Sequence, residues 1–143
     1  MEYSAETTID APADVVWSIL VEGAGYSRWA SGVERVEGDI ADGAKIKLFS
    51  KLNPGRAFPL KVAVVEPTRV MTWTGGMPLG LFKGVRTITL VGVSPFETSF
   101  TMREVFSGPM LNAVAKKMPD LQPSFDQFAE GLKAEAEART ADR

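Results

Sequence analysis

The chain has 143 residues, 45% hydrophobic, 9% aromatic and 24% charged, and its 16 Lys+Arg against 18 Asp+Glu give a formal charge of −2. Those figures fit one ordinary globular domain over residues 1–143, exclude disorder and fibrous repeats, and lack the basic footprint that a nucleic-acid partner requires. Cysteine and histidine are both absent, which removes disulfides, thiol nucleophiles, His-dependent catalytic sets and the usual zinc ligands.

In chain order, Met1 to Glu6 has no basic stretch leading into an apolar run, and no segment approaches the 18 or so apolar residues of a membrane span. A cytoplasmic protein is the expectation. Residues 2–9 alternate, with Tyr3, Ala5, Thr7 and Ile9 on one face, which predicts a half-buried strand. Pro12 suits the start of a helix and Asp14 favours its dipole, so a helix follows to about Val21, apolar through Val15, Val16, Ile19 and Leu20. Gly23 and Gly25 end it, and one further turn is expected over Tyr26 to Ala30. Trp17 and Trp29 read as packing residues near this helix pair.

From Val33 to Phe106, segments rich in Val, Ile, Thr and Phe are separated by Gly, Pro, Asp and Asn. Strands are predicted at about 33–39, 44–50, 58–66, 69–75, 82–92 and 97–106, seven with the first, and an antiparallel meander is their simplest arrangement. After Gly108-Pro109 the period becomes helical: Leu111, Val114, Met118, Leu121, Phe125, Phe128 and Leu132 fall on one stripe, with a break near 118–123 from Pro119 and Pro123. The second piece is expected to reach about Ala138, followed by a fraying tail. Glu130, Glu135 and Glu137 read as solvated, as do Lys116 and Lys117.

An antiparallel sheet of this size must cover its apolar face, so the long helix is expected to lie across it. The opening Ile9-Asp10-Ala11-Pro12 with Val16-Trp17, Trp29 before the strand at Val33, Trp73 in a middle strand, and Glu104 to Pro109 entering the last helix resemble the START-like superfamily. Its members include birch-type pollen allergens, polyketide cyclase/dehydrase-like proteins and an Hsp90 activator domain. The resemblance implies an α+β helix-grip fold: a curved seven-stranded antiparallel sheet around a long C-terminal helix, with two short helices after the first strand. It also implies an apolar cavity between sheet and helix, suited to a hydrophobic, lipid-like or polyketide-like small molecule.

The last hairpin carries the sharpest local prediction. If Pro95 sits at its centre, Leu90 faces Phe100, Ile88 faces Met102 and Arg86 faces Glu104 on one side, while Thr87, Thr89, Ser99, Thr101 and Arg103 take the other. Arg86 and Glu104 then point inward among apolar side chains. They either form the polar end of a ligand pocket, Arg86 anchoring a carboxylate, phenolate or carbonyl, or neutralise each other as a buried ion pair. A carboxylate so held is a weak general base. Trp73 also reads as inward. The expected cavity set is Trp73, Arg86, Ile88, Leu90, Phe100, Met102, Glu104, Leu111, Met118 and Phe125.

The glycine-rich apolar loop from Thr74 to Phe82 does not open a helix, so it is no phosphate cradle. It either gates the pocket or meets a partner, or it simply packs as a hairpin end. No metal and no cofactor are expected, since the carboxylates match no calcium-loop spacing. Three functions follow in order: binding of an apolar or aromatic small molecule, polyketide cyclase/dehydrase-like catalysis by positioning without metal, His or Cys, and a protein-partner module.

Overall fold

The computed structural model describes residues 1–142. In chain order its elements are β1 (Glu2–Ile9), α1 (Ala13–Leu20), a 3₁₀ turn at Gly23–Gly25, β2 (Val33–Glu37), β3 (Lys45–Ser50), β4 (Phe58–Glu66), β5 (Val70–Gly76), a 3₁₀ turn at Pro78–Gly80, β6 (Lys83–Ser94), β7 (Glu97–Ser107), α2 (Leu111–Ala115) and α3 (Gln122–Ala141). One antiparallel sheet in the order β1-β7-β6-β5-β4-β3-β2 curves around α3, the helix-grip arrangement that the resemblance implies.

Strands β2 to β7 form the expected meander, but β1 and β2 lie at opposite edges of the sheet. The connection between them carries α1 and the first 3₁₀ turn, and α1 packs on α3, so the chain crosses the open side of the sheet instead of turning back beside β1. β1 pairs with β7 instead, Tyr3 opposite Glu104 and Ala5 opposite Met102. Its free edge is protected by the helix: Gln122 Nε2 donates to the Ser4 carbonyl at 2.8 Å and Lys133 Nζ to the Thr8 carbonyl at 2.7 Å. Unpaired strand groups that would recruit another chain are thereby occupied.

The buried side of α1 is Val15, Val16, Ile19 and Leu20, as the spacing predicts, with Pro12 as its N-cap. The 3₁₀ turn at Gly23–Gly25 leads into the turn expected at 26–30, closed by hydrogen bonds from the Arg28 and Trp29 amides to the Gly25 carbonyl, and Tyr26 and Trp29 are buried. At the C-terminus the single stripe divides. Leu111 and Val114 belong to α2, Met118 lies in the connection, and of the stripe residues Phe125, Phe128 and Leu132 are the ones buried along α3. Pro119 and Pro123 account for the gap, because a proline inside a helix removes a hydrogen bond and disfavours helical backbone before it.

The helix also outruns the sequence expectation, reaching Ala141. Its last turns are tied down. Lys133 Nζ pairs with Glu137 Oε2 at 2.8 Å, the Asp10 amide donates to the same oxygen at 2.9 Å, and Arg139 reaches both Glu135 and Glu22. Hydrogen bonds from Lys133 and the Asp10 amide hold the Glu137 carboxyl below its ordinary value, and the Glu137 hydrogen bond raises Lys133. Gly131 permits the closest approach of α3 to the preceding turn: a Cβ there would run into the Ala30 carbonyl. Among the described residues no helix is long and apolar enough to cross a membrane.

Candidate functional site

The registers assemble the inner face in rows. Lys61 opposes Thr74 and Val62 opposes Trp73 across β4 and β5, Trp73 opposes Arg86 across β5 and β6, Arg86 opposes Glu104 across β6 and β7, and Glu104 opposes Tyr3 across β7 and β1. Val62, Trp73, Arg86, Glu104 and Tyr3 therefore form one inward row. The next row inward carries Val64, Met71, Ile88, Met102 and Ala5, and beyond it Leu90 faces Phe100. The pairings that the hairpin predicts, Arg86 with Glu104, Ile88 with Met102 and Leu90 with Phe100, are those present. A register shift between Gly92 and Ser94 absorbs the turn without moving them.

Arg86 Nε donates to Glu104 Oε1 at 2.7 Å, with the two side chains 18% and 15% exposed. The guanidinium carbon lies 4.8 Å from the Phe125 ring centre and 5.8 Å from that of Trp73, so two aromatic faces hold it by cation–π attraction. Arginine carries five N–H donors and one is committed to Glu104; among the described residues none of the terminal N–H groups has a protein acceptor. The pair is thus anchored on one edge and open on the other. Gly84 makes room beside it, since a Cβ there would stand 2.9 Å from the Phe106 ring and 3.2 Å from Glu104 Oε2.

Toward the loop after β5 a line of rings borders the pair. Phe82 stacks on Phe106 at 5.6 Å, Phe106 meets Tyr3 edge-on at 6.2 Å, and Tyr3 lies 5.7 Å from Phe125. Deeper in, Tyr26 contacts Trp29, Trp73 and Phe128, and Phe128 stacks on Phe100. Tyr26 Oη donates to the Leu20 carbonyl at 2.6 Å. Burial pushes this phenol above its ordinary value of 10.0, Arg86 pulling it only partway back, so it stays protonated.

Of the expected cavity residues, Trp73, Ile88, Leu90, Phe100, Met102 and Phe125 are 0 to 2% exposed and belong to one core cluster. At that exposure they border almost no space that water can enter, so their side chains fill the middle of the grip. The polar row reaches solvent in part where the Arg86 and Glu104 side chains lie, an end here called the mouth. Leu111 and Met118 are half-buried and stand outside the side chains packed on the core, which include Tyr3, Leu60 and Leu121. Tyr3, Tyr26, Phe82, Gly84 and Phe106 escaped the sequence reading. Continuing the hairpin pairing by one more inward pair would have brought Gly84 opposite Phe106. Among the described residues no cluster of three or more acidic side chains is placed to hold a metal ion.

The family described as polyketide cyclase/dehydrase and lipid transport matches residues 1–137. The chain belongs to that family. Among solved structures it is similar to a hypothetical protein from Helicobacter pylori, with TM-score 0.75 and 14% identity over 95% of this chain and 88% of that one. A START superfamily protein from Mycobacterium smegmatis superposes with TM-score 0.71 at 16% identity, over 97% and 99% of the two chains. The Zhui aromatase/cyclase from Streptomyces sp. R1128 gives 0.70 at 18% identity, over 97% and 94%. At such identities these likenesses establish the fold. No curated protein matches the sequence. Family membership supports a role in binding or cyclising a small molecule.

Proposed function

We infer that this member of the polyketide cyclase/dehydrase and lipid transport family binds an apolar or aromatic small molecule whose one polar end carries a carboxylate, phenolate or carbonyl oxygen. The observation that carries the reading is the half-used guanidinium of Arg86: one N–H on Glu104, its faces against Phe125 and Trp73, and its terminal donors without a protein acceptor. A guanidinium in that state recognises an oxygen pair through parallel charge-assisted hydrogen bonds. Rings supplied by Tyr3, Phe82 and Phe106 would flank the ligand body.

Because the middle of the grip is filled, entry requires the mouth to widen. The segments that would move are α2 and the 77–82 loop, which are joined by a hydrogen bond from the Met110 amide to the Leu81 carbonyl at 2.8 Å. On this reading Arg86, Glu104, Trp73 and Phe125 meet the ligand, Ile88, Leu90, Phe100 and Met102 form the floor, and Leu111 and Met118 lie on the moving cover.

Cyclase-like catalysis is the second reading, favoured by the family alone. Against proton-transfer chemistry, Glu104 is held by Arg86 and the Tyr26 phenol is committed to Leu20 and stays protonated. Positioning a reactive chain against Arg86 would remain open to it. Native mass spectrometry of the protein as purified from cells, beside Arg86→Ala and Glu104→Gln, tests the binding reading. Loss of retained small molecule in Arg86→Ala supports it, and equal retention in both variants removes these residues from the site. Conversion of a poly-β-ketone to a cyclised product by the wild type, abolished in Arg86→Ala, would select the second reading.

A further inference from the structure

The outer face of the sheet near the mouth carries a charge arrangement that the ligand site does not use. Lys45 lies directly opposite Lys61 across β3 and β4, Lys47 opposes Pro59, and Lys83 opposes Gly76 across β5 and β6. Strand periodicity puts all four lysines on the outer side, since Ile46, Leu60, Trp73 and Gly84 between them face inward. None of the four is in an ion pair among the described residues. The nearest carboxylates along these rows are already taken, Glu37 by Arg35 and Glu2 by Arg103. Two like charges directly across a strand pair are destabilising, and the one carboxylate facing this group, Glu37 opposite Lys47, is shared with Arg35.

Between the lysines the surface is low. Two open depressions of about 310 and 280 Å³ share Lys45 and Pro59, and the second is floored by Thr74, Gly75 and Gly76. From the end of this same face projects the 77–82 loop. Leu79 is 97% exposed and holds a left-handed φ of 61°, a conformation unfavourable for leucine, so the loop presents an apolar side chain to water at a backbone penalty. Met77, Leu81 and Met110 beside it are also exposed. Lys116 and Lys117 follow on the far side of α2.

An apolar tip backed by unpaired lysines is complementary to one kind of surface, an anionic headgroup layer over hydrocarbon. We propose that the mouth end docks on an anionic lipid bilayer, with Leu79 and its neighbours entering the interface and Lys45, Lys47, Lys61 and Lys83 lying against the headgroups. The inference goes beyond the ligand-binding reading and its test uses no ligand, so either can fail alone.

The test is co-sedimentation of the full chain with phosphatidylcholine vesicles and with vesicles holding roughly one-third phosphatidylglycerol. Binding is expected to the second only, and to weaken strongly between roughly 50 and 500 mM salt as screening shortens. Each lysine lost near the surface is worth about fivefold in partitioning, so Lys45→Glu/Lys61→Glu should bind at least about 25-fold more weakly. Leu79→Ser should lose several-fold while remaining folded by circular dichroism. Equal binding to both vesicle types, no binding to either, or undiminished binding by either variant overturns the proposal. So does capture by soluble polyglutamate without vesicle binding, which would give the face to an acidic protein.

Discussion

The two ends of the gripped helix differ in how completely they are closed. Between the second and fifth turns of α3, Phe128, Leu132 and Ala136 are buried, Phe128 against Tyr26, Trp29 and Phe100. Two hydroxyls there are spent internally, Thr98 Oγ1 on the Ala11 carbonyl and Ser31 Oγ on the Tyr26 carbonyl, while the Trp29 indole N–H is buried without an acceptor. At the other end a charged pair is half-satisfied, Leu111 and Met118 are half-buried off the core, and Leu79 stands in water. One half is built to hold the fold together, whereas the other keeps donors and apolar surface in reserve. Stability and recognition should therefore respond to different substitutions.

The largest effect should come from the closed half. Phe128→Ala removes a ring that contacts Tyr26, Trp29 and Phe100, and should cost about 3–5 kcal/mol in urea unfolding, whereas Leu79→Ser at the mouth should stay within about 0.5 kcal/mol. Comparable losses in both would erase the contrast. Gly131→Ala comes next, at about 2–3 kcal/mol, because the new Cβ must push the Ala30 carbonyl away.

Arg86→Ala leaves the Glu104 carboxylate partly buried without its partner and should cost about 1–3 kcal/mol, below the figure for a fully buried pair because both groups reach solvent. The double variant Arg86→Met/Glu104→Leu should recover most of that loss, to within about 1 kcal/mol of wild type by thermal unfolding. A double variant as unstable as the single one would mean that the pair itself holds the mouth together.

The smallest effect tests the far end of α3. Glu137 titrates below its ordinary 4.5 in the folded chain, so its contribution is present above that pH and is lost as pH falls through the folded value. Lys133 titrates above its ordinary 10.5, so its contribution is present below that pH and is lost as pH rises past the folded value. Glu137→Gln should therefore lower the Tm slightly and evenly between about pH 5 and 10, and its curve should meet the wild-type curve in acid, where Glu137 is itself protonated. A gap that persists in acid would assign the difference to packing.

Much of this architecture was legible because strand pairing is arithmetic. One turn at Pro95 fixed the partners of Arg86, Ile88 and Leu90, and alternation then decided which faced inward. The buried stripe of α3 was legible for the same reason of periodicity. Leu111 and Met118 misled because their spacing continues the stripe while two prolines prevent the helix from continuing with it. The crossing of β1 to the β7 edge depends on α1 packing against α3, a contact between segments far apart in sequence. The four lysines of the outer face lie on three strands, and only the registers of β3 to β6 bring them together.

The central claim is that Arg86 anchors the polar end of an apolar ligand. Its most direct test is calorimetric titration of 2-naphthoate and of neutral 2-naphthamide into the wild type and into the folded Arg86→Met/Glu104→Leu variant. The wild type should prefer the carboxylate and the variant should bind it at least about tenfold more weakly, the worth of a charge-assisted hydrogen bond. Equal naphthoate affinity in the two proteins would contradict it.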